Sequence, residues 1–204
     1  MNNQDPRLYS PAIARNCEPI WRVLQTHLPK LGCVLEVASG SGEHIVAFAR
    51  QAGLGLTFQP SDPDATARAS IDHWVASSGL QNVMPTLALD ASAAPWPITH
   101  ADMIVCINMI HIAPWAATVG LMRGAARSLP VKGRMFLYGP HTRDNEHTAA
   151  SNERFDQKLR ERNPEWGVRA LKEVCLLAEA HGLEVVTIEA MPANNLVVVF
   201  ERTT

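Results

Sequence analysis

No CxxC pair occurs among the 204 residues. The four cysteines, Cys17, Cys33, Cys106 and Cys175, stand far apart with no histidine at metal-ligand spacing. That excludes a disulfide scaffold and a structural zinc site; reduced core thiols and no metal are expected. No apolar run reaches the length of a bilayer span. Residues 1–7 are polar, and the first apolar stretch is broken by Arg15, Asn16, Glu18 and Arg22. No secretory pattern is present there, and a cytoplasmic protein is expected. Neither sign of charge dominates, since 18 Lys and Arg against 20 Asp and Glu leave a net charge of −2. Such a balance has no electrostatic footprint for nucleic acid or an anionic membrane, and neither is expected as a partner. What is there is 47% hydrophobic and 19% charged, enough for one folded domain with a full core but short for two. Residues 1–204 read as a single domain with no repeat, low-complexity tract or linker.

Short β-rich runs alternate with longer helical ones, the pattern of a parallel sheet covered by helices. A first helix is expected over residues 11–28, with Ser10 as N-cap and Pro11 at the first helical position. Ile13, Cys17, Ile20, Trp21, Leu24 and Leu28 fall on one stripe of it, and residues 1–30 read as an N-terminal helical cap. Strands are expected over 33–37, 56–58, 83–89, 103–107, 134–138, 183–188 and 196–200. Helices are expected over 43–52, 63–78, 114–129, 151–162 and 168–181. The run 103–107 is apolar throughout, as a central parallel strand should be. Residues 191–195 are too few for a crossover helix, so the last strand must run antiparallel to its neighbour. The expected fold is α/β: a mostly parallel seven-stranded sheet with an antiparallel strand in a C-terminal hairpin, and helices on both faces.

Ligands of open α/β sheets bind outside the carboxyl ends of the strands, so residues at those ends are the site candidates. The first strand delivers Glu36 and then Ala38-Ser39-Gly40-Ser41-Gly42. Gly40 and Gly42 let the chain turn sharply and a ligand approach the backbone at a helix N-terminus. A dinucleotide fingerprint needs a third glycine at position 45, where Ile45 stands, and a P-loop needs an absent Gly-Lys-Ser/Thr. Asp62, about twenty residues further on, suits a ribose diol because a carboxylate accepts from both hydroxyls. It equally suits the cap of a helix opening at Pro63. Asp90 and Ala91 end the third strand. The fourth runs into Asn108, His111 and Trp115, and the fifth into Tyr138 and His141. His111 titrates near neutrality and suits a general base; the alternative is a histidine bonded to a loop carbonyl. Trp115 reads as packing or as a cation-binding face. His141, Asp144, Glu146 and His147 lack a defined ligand spacing, so residues 141–167 read as a polar lid over the site rather than a metal centre.

The chain also carries Tyr9-Ser10-Pro11-Ala12 with Arg15-Asn16, Val34 to Gly42, Gln59-Pro60-Ser61-Asp62, and Ile107-Asn108-Met109-Ile110-His111-Ile112 with Pro114-Trp115. Further along stand Tyr138-Gly139-Pro140, Ser151-Asn152 with Phe155-Asp156, and Met191-Pro192-Ala193-Asn194-Asn195-Leu196. On these passages it resembles, nearly end to end, small class I S-adenosylmethionine (SAM)-dependent methyltransferase-like proteins. They are the bacterial relatives of methyltransferase-like twenty-six, a family of unknown function. The resemblance implies a Rossmann-like fold with SAM as cofactor. Ala38 takes the place of the first glycine in the Gly-x-Gly-x-Gly turn of SAM enzymes generally, and Ser41 that of the threonine in the family's common Ala-Ser-Gly-Thr-Gly loop. It implies a cofactor site of Glu36, Ala38, Ser39, Gly40, Gly42 and Asp62, with Asp90 at the adenine amine, Ala91 at a ring nitrogen, and Asn108, Arg15 and Asn16 nearby. The acceptor side would hold Tyr9, His111, Trp115, Tyr138 and His141, with Asn194 and Asn195 of the hairpin turn. His111 and Asn108 face the reaction there. No Asn-Pro-Pro-aromatic motif is present, so N-methylation of DNA or protein amides is not supported. The expected function is a methyltransferase, monomeric or homodimeric, acting on a small-molecule acceptor through an O, N or S nucleophile. The alternatives are a SAM-binding protein with other or no chemistry, and a nicotinamide-dependent reductase.

Overall fold

The computed structural model describes residues 5–144 and 146–204. β1 (Gly32–Val37), β2 (Leu56–Ser61), β3 (Met103–Ile107) and β4 (Arg134–Arg143) run parallel. Short strands β5 (Glu146–His147) and β6 (Arg169–Ala170) pair with the far end of β4. The hairpin of β7 (Leu183–Met191) and β8 (Asn195–Arg202) completes the order β2-β1-β3-β4-β8-β7, with β8 antiparallel to both neighbours. The reversal expected from the short 191–195 turn is thus observed.

Helices α1 (Ile13–Leu24), α2 (Glu43–Ala52) and α3 (Ala65–Ser78) bury Ile20, Phe48 and Ile71 with Phe58 and Phe136 of the sheet. On the other face α4 (Trp115–Ser128) and α6 (Leu171–Glu179) bury Leu121 and Val174 against Leu35, Ile104 and Phe200. The remaining helix, α5 (Ala150–Arg162), is strongly polar and follows β5. No described helix is long and apolar enough to cross a membrane.

The strand expected over 134–138 runs on to Arg143, and the helix expected from residue 168 opens at Leu171 after β6; three further differences have a local reason. Residues 83–89 do not form a continuous strand; they flank β2 through isolated bridges at Val83 and Leu87. Pro85 lies between the bridges and has no N–H for a ladder. The N–H of Leu87 still donates to the Pro60 carbonyl at 3.0 Å, and that of Asp62 to the Leu87 carbonyl at 3.1 Å, so the ribbon stays registered with β2. Helix α1 opens at Ile13 without a side-chain cap, because Ala12, which has no acceptor, stands at the N-cap position; Ser10 lies two residues earlier, its N–H on Glu43. Helix α3 opens at Ala65, capped by Asp64, whose carboxylate accepts the Ala67 N–H at 2.8 Å.

Gly120 and Gly124, one turn apart on α4, form a bare strip on which residues 91–96 lie. A β-carbon at Gly120 would stand 2.8 Å from the Ala91 carbonyl carbon, and one at Gly124 would overlap the Trp96 ring. This strip fixes how closely the segment after the β2-flanking ribbon approaches the sheet.

Candidate functional site

Registers Val37↔Ser61, Val37↔Cys106 and Ile107↔Tyr138 bring the four parallel strands to one edge, so Ala38, Asp62, Asn108 and Gly139 emerge side by side. The turn after β1 is left-handed at Ala38 (φ 59°), Gly40 (φ 59°) and Gly42 (φ 93°). Gly42 is also crowded, since a β-carbon would lie 2.8 Å from the Ile71 Cα. Gly40 is the opposite: nothing stands within 4 Å of where a side chain would begin, so its backbone faces open space. Ala38 occupies a left-handed position that costs an L-residue about 1–2 kcal/mol, against about 0.5–1 kcal/mol for the extra chain entropy of glycine. Ala38→Gly is therefore expected to hold or raise the melting temperature, the reverse of an ordinary Ala→Gly change; thermal unfolding checks it.

Asp62 is buried and accepts two backbone hydrogens, from Gly40 at 3.0 Å and Asp64 at 2.9 Å. Asp64 caps α3, which corrects the reading of Asp62 as that cap. Burial pushes the Asp62 carboxyl up, while the two N–H donors pull it back. Asp62 lines a cavity of about 200 Å³ together with Val37, Asp90, Ala91, Met109 and Ile112. Asp90 also closes its own turn, one oxygen accepting the Ser92 N–H at 2.8 Å and hydroxyl at 2.7 Å. Both readings of that acid are thus compatible with its position. Ser39 ties the ends of β1 and β2 together, donating its N–H to the Ser61 carbonyl at 2.8 Å.

A second cavity, of about 570 Å³, opens on the other side of Asn108, among α1, α5, the end of β4 and the hairpin turn. Arg15, Asn16, Asn108, Tyr138, Phe155 and Asn195 contribute to it. Asn108 is itself left-handed (φ 61°), with its N–H on the Tyr138 carbonyl at 2.8 Å. Asn194 enters differently: its carbonyl accepts from the buried Asn152 side chain at 2.9 Å, which fastens α5 to the hairpin turn. Asn152 and Phe155 were not among the expected site residues. The signal available is that Asn152 and Asp156, one turn apart, are polar residues marking the buried face of a helix that otherwise reads as solvated.

Four expected acceptor-side residues lie elsewhere. His111 is 0% exposed and lines neither cavity; its ring meets the His141 ring edge-on with centroids 5.3 Å apart. Side chains alternate along β4, so Tyr138 and Pro140 face the large cavity while Gly139 and His141 face the opposite side. No ring nitrogen of either histidine has a hydrogen-bond partner. Burial holds His111 well below the usual imidazole range and His141 down to about 4, so both are neutral. The expectation that His111 and His141 face the acceptor is corrected. Trp115 lies under the Arg169 guanidinium, 5.7 Å from its ring centroid, beside a separate polar cavity lined by His147, Asp156 and Arg160. Tyr9 is exposed and packs edge-on against Trp74 at 5.3 Å. Its neighbours fasten the segment over the glycine turn. The Leu8 N–H reaches Ser70 Oγ at 2.7 Å, and Ser10 N–H and Ser41 Oγ both donate to Glu43 at 2.8 Å.

Glu36 is buried, and its Oε2 has no hydrogen-bond partner in the protein. Burial pushes its carboxyl up to about 8, against the Ser39 hydroxyl, with Asp62 adding repulsion. The unfolded group titrates near 4.5, so between that value and about 8 the folded state binds the extra proton. Raising the pH through this window withdraws stability, and the loss is complete above it. Urea unfolding across the window is expected to show that decline, and Glu36→Gln to flatten it. His44 donates from Nε2 to the Asn16 Oδ1 at 3.0 Å, and burial brings its imidazole down to about 4.

A family described as "Protein of unknown function (DUF938)" matches residues 7–202. Among solved structures, the S-adenosylmethionine-dependent methyltransferase SibL superposes with a TM-score of 0.77 at 20% identity, over 95% of this chain and 56% of its own. An O-methyltransferase family protein from Burkholderia thailandensis gives 0.80 at 17%, over 95% and 58%. CalO1, a methyltransferase of calicheamicin biosynthesis in its SAH-bound form, gives 0.73 at 18%, over 94% and 55%. The chain thus spans little more than half the length of these structures. The shared fold is the Rossmann-like class I methyltransferase fold.

Proposed function

We propose that this chain, which belongs to the DUF938 family of proteins of unknown function, is a SAM-dependent methyltransferase acting on a small molecule. The observation that carries the reading is the buried Asp62 carboxylate, set between an open glycine turn at Gly40 and a cavity that reaches Asp90 and Ala91. An adenosyl group fits this arrangement: Asp62 for the ribose hydroxyls, Asp90 and the Ala91 N–H for the adenine edge. Gly40 and Gly42 admit the methionine end. The unpartnered oxygen of Glu36 suits its ammonium, directly or through water. When bound, SAM supplies an electrophilic methyl group on sulfur. Asn108 borders the larger cavity, with Met109 in the smaller, so the acceptor enters from the side of Arg15, Asn16 and Tyr138. Residues 141–167 act as the acceptor-side lid through α5, and residues 1–30 as the cap opposite. Methyl transfer is an in-line displacement, so positioning supplies much of the rate without a base.

On this reading the chain is one of the bacterial relatives of methyltransferase-like twenty-six and works in the cytoplasm. Calorimetric titration with S-adenosylhomocysteine (SAH) is the direct test; absence of binding removes the assignment. The burial of His111 favours a second reading, a SAM-binding protein that transfers nothing. Labelled SAM across a metabolite panel separates the two, since only an enzyme yields a labelled product. A nicotinamide-dependent reductase is disfavoured by Ile45 at the third-glycine position, and no NADH fluorescence enhancement is expected.

A further inference from the structure

The larger cavity combines an apolar wall with a single ionised side chain. Ala12, Pro19, Pro140, Phe155 and Pro192 supply hydrocarbon surface, and Arg15 is the one formally charged residue among the described residues that line it. The other polar groups are neutral amides, the Ser151 hydroxyl and the Tyr138 phenol, which burial holds above its usual range. No histidine, carboxylate, cysteine or lysine lines the cavity among the described residues. The Glu36 carboxyl is buried and does not line it. Both histidines that follow the strand ends are sealed on the far face of β4.

A guanidinium beside an apolar wall attracts an anion and repels a cation. With no acceptor for a proton at hand, an alcohol or an ammonium would keep its proton and remain a poor nucleophile. We infer that the acceptor is an organic acid with an apolar body, whose reacting oxygen or sulfur is already deprotonated, as in a carboxylate or a thiolate. Its anionic charge is read by Arg15. A lone pair of the deprotonated atom forms the new bond to the methyl carbon of SAM while the carbon–sulfur bond of the sulfonium breaks. Its electron pair goes to sulfur, giving a neutral thioether, and no proton moves. This inference rests on the methyltransferase reading for its chemistry, and on the cavity alone for its charge preference.

The test uses the intact protein saturated with SAH and three isosteric probes: 3-phenylpropanoate, 3-phenylpropan-1-ol and 3-phenylpropylammonium. The carboxylate is expected to bind at least about tenfold tighter than either partner, the scale of one charge-assisted hydrogen bond. Arg15→Ala should erase that preference without changing the affinity of the alcohol, and Arg15→Lys should restore part of it. With labelled SAM, transfer to 3-phenylpropanoate should exceed transfer to the alcohol. Equal or tighter binding of the alcohol or the ammonium, no binding of any probe, or an Arg15→Ala protein that keeps the preference overturns the inference. SAH binding with no anion preference leaves the cofactor assignment standing and removes this one alone. If SAH itself does not bind, the cofactor reading falls, and the same probes on the free protein still decide what Arg15 selects.

Discussion

Asp62→Ala is expected to weaken SAH binding by about a hundredfold or more, since hydrogen bonds to a charged group contribute about 1.5–3 kcal/mol each and a ribose diol offers two. The same carboxylate holds the N–H groups of Gly40 and Asp64, so the variant also loses stability. Those donors are only part-buried, so leaving them unpaired costs about 1–3 kcal/mol apiece at most. Thermal unfolding separates the two effects. Asp62→Asn keeps an acceptor oxygen but no charge, and should fall between the variant and the parent in both measurements. Calorimetry that finds the affinity of the folded Asp62→Ala protein unchanged rules out the ribose role.

Gly120→Ala should produce the largest loss of fold stability among conservative changes near the site. On an exposed helix, alanine in place of glycine gains about 1 kcal/mol. Here the added carbon would stand 2.8 Å from the Ala91 carbonyl carbon and closer still to its oxygen, and backbone cannot rotate away as a side chain can. Overpacking of this kind costs about 1–3 kcal/mol, so the net change is expected to be destabilising despite the better helix former. Because Ala91 lines the smaller cavity, SAH affinity should drop as well. Urea denaturation and calorimetry on the same sample check both effects. A variant more stable than the parent would show that α4 and the Ala91 segment separate easily.

Much of the fold was legible because its determinants are local. Short continuous apolar runs, the Ala38 to Gly42 turn and the short 191–195 connection each act within a few residues, and they yielded parallel strands closed by an antiparallel hairpin. Strand ends were equally readable, which is why Glu36, Asp62, Asn108 and Tyr138 emerge at one edge. The face on which a side chain lands was not. His111 sits in a turn of 3₁₀ helix (Met109–His111) that buries its ring, and His141 lies three residues beyond Tyr138 on a strand that runs on to Arg143 instead of stopping at 138, so plain alternation turns its ring away from the cavity. Asn152 and Phe155 were hidden for another reason. They belong to a polar helix whose apolar content gives no stripe, and only the hairpin turn it packs against makes them part of a wall. The paired glycines of α4 read as weak helix formers until the residues resting on them are known.

The strand that comes latest in the chain, β8, lies between β4 and β7 rather than at a border. During synthesis the flank of β4 therefore stays unsatisfied from the time residues 134–143 emerge until residues 195–202 leave the ribosome, and the nascent chain carries an open apolar ribbon over that interval. Leu196 to Phe200, buried throughout, act as the keystone of the arch. A nick or frameshift there would expose the same ribbon to pairing with other chains, so such products should aggregate rather than persist as partly active fragments.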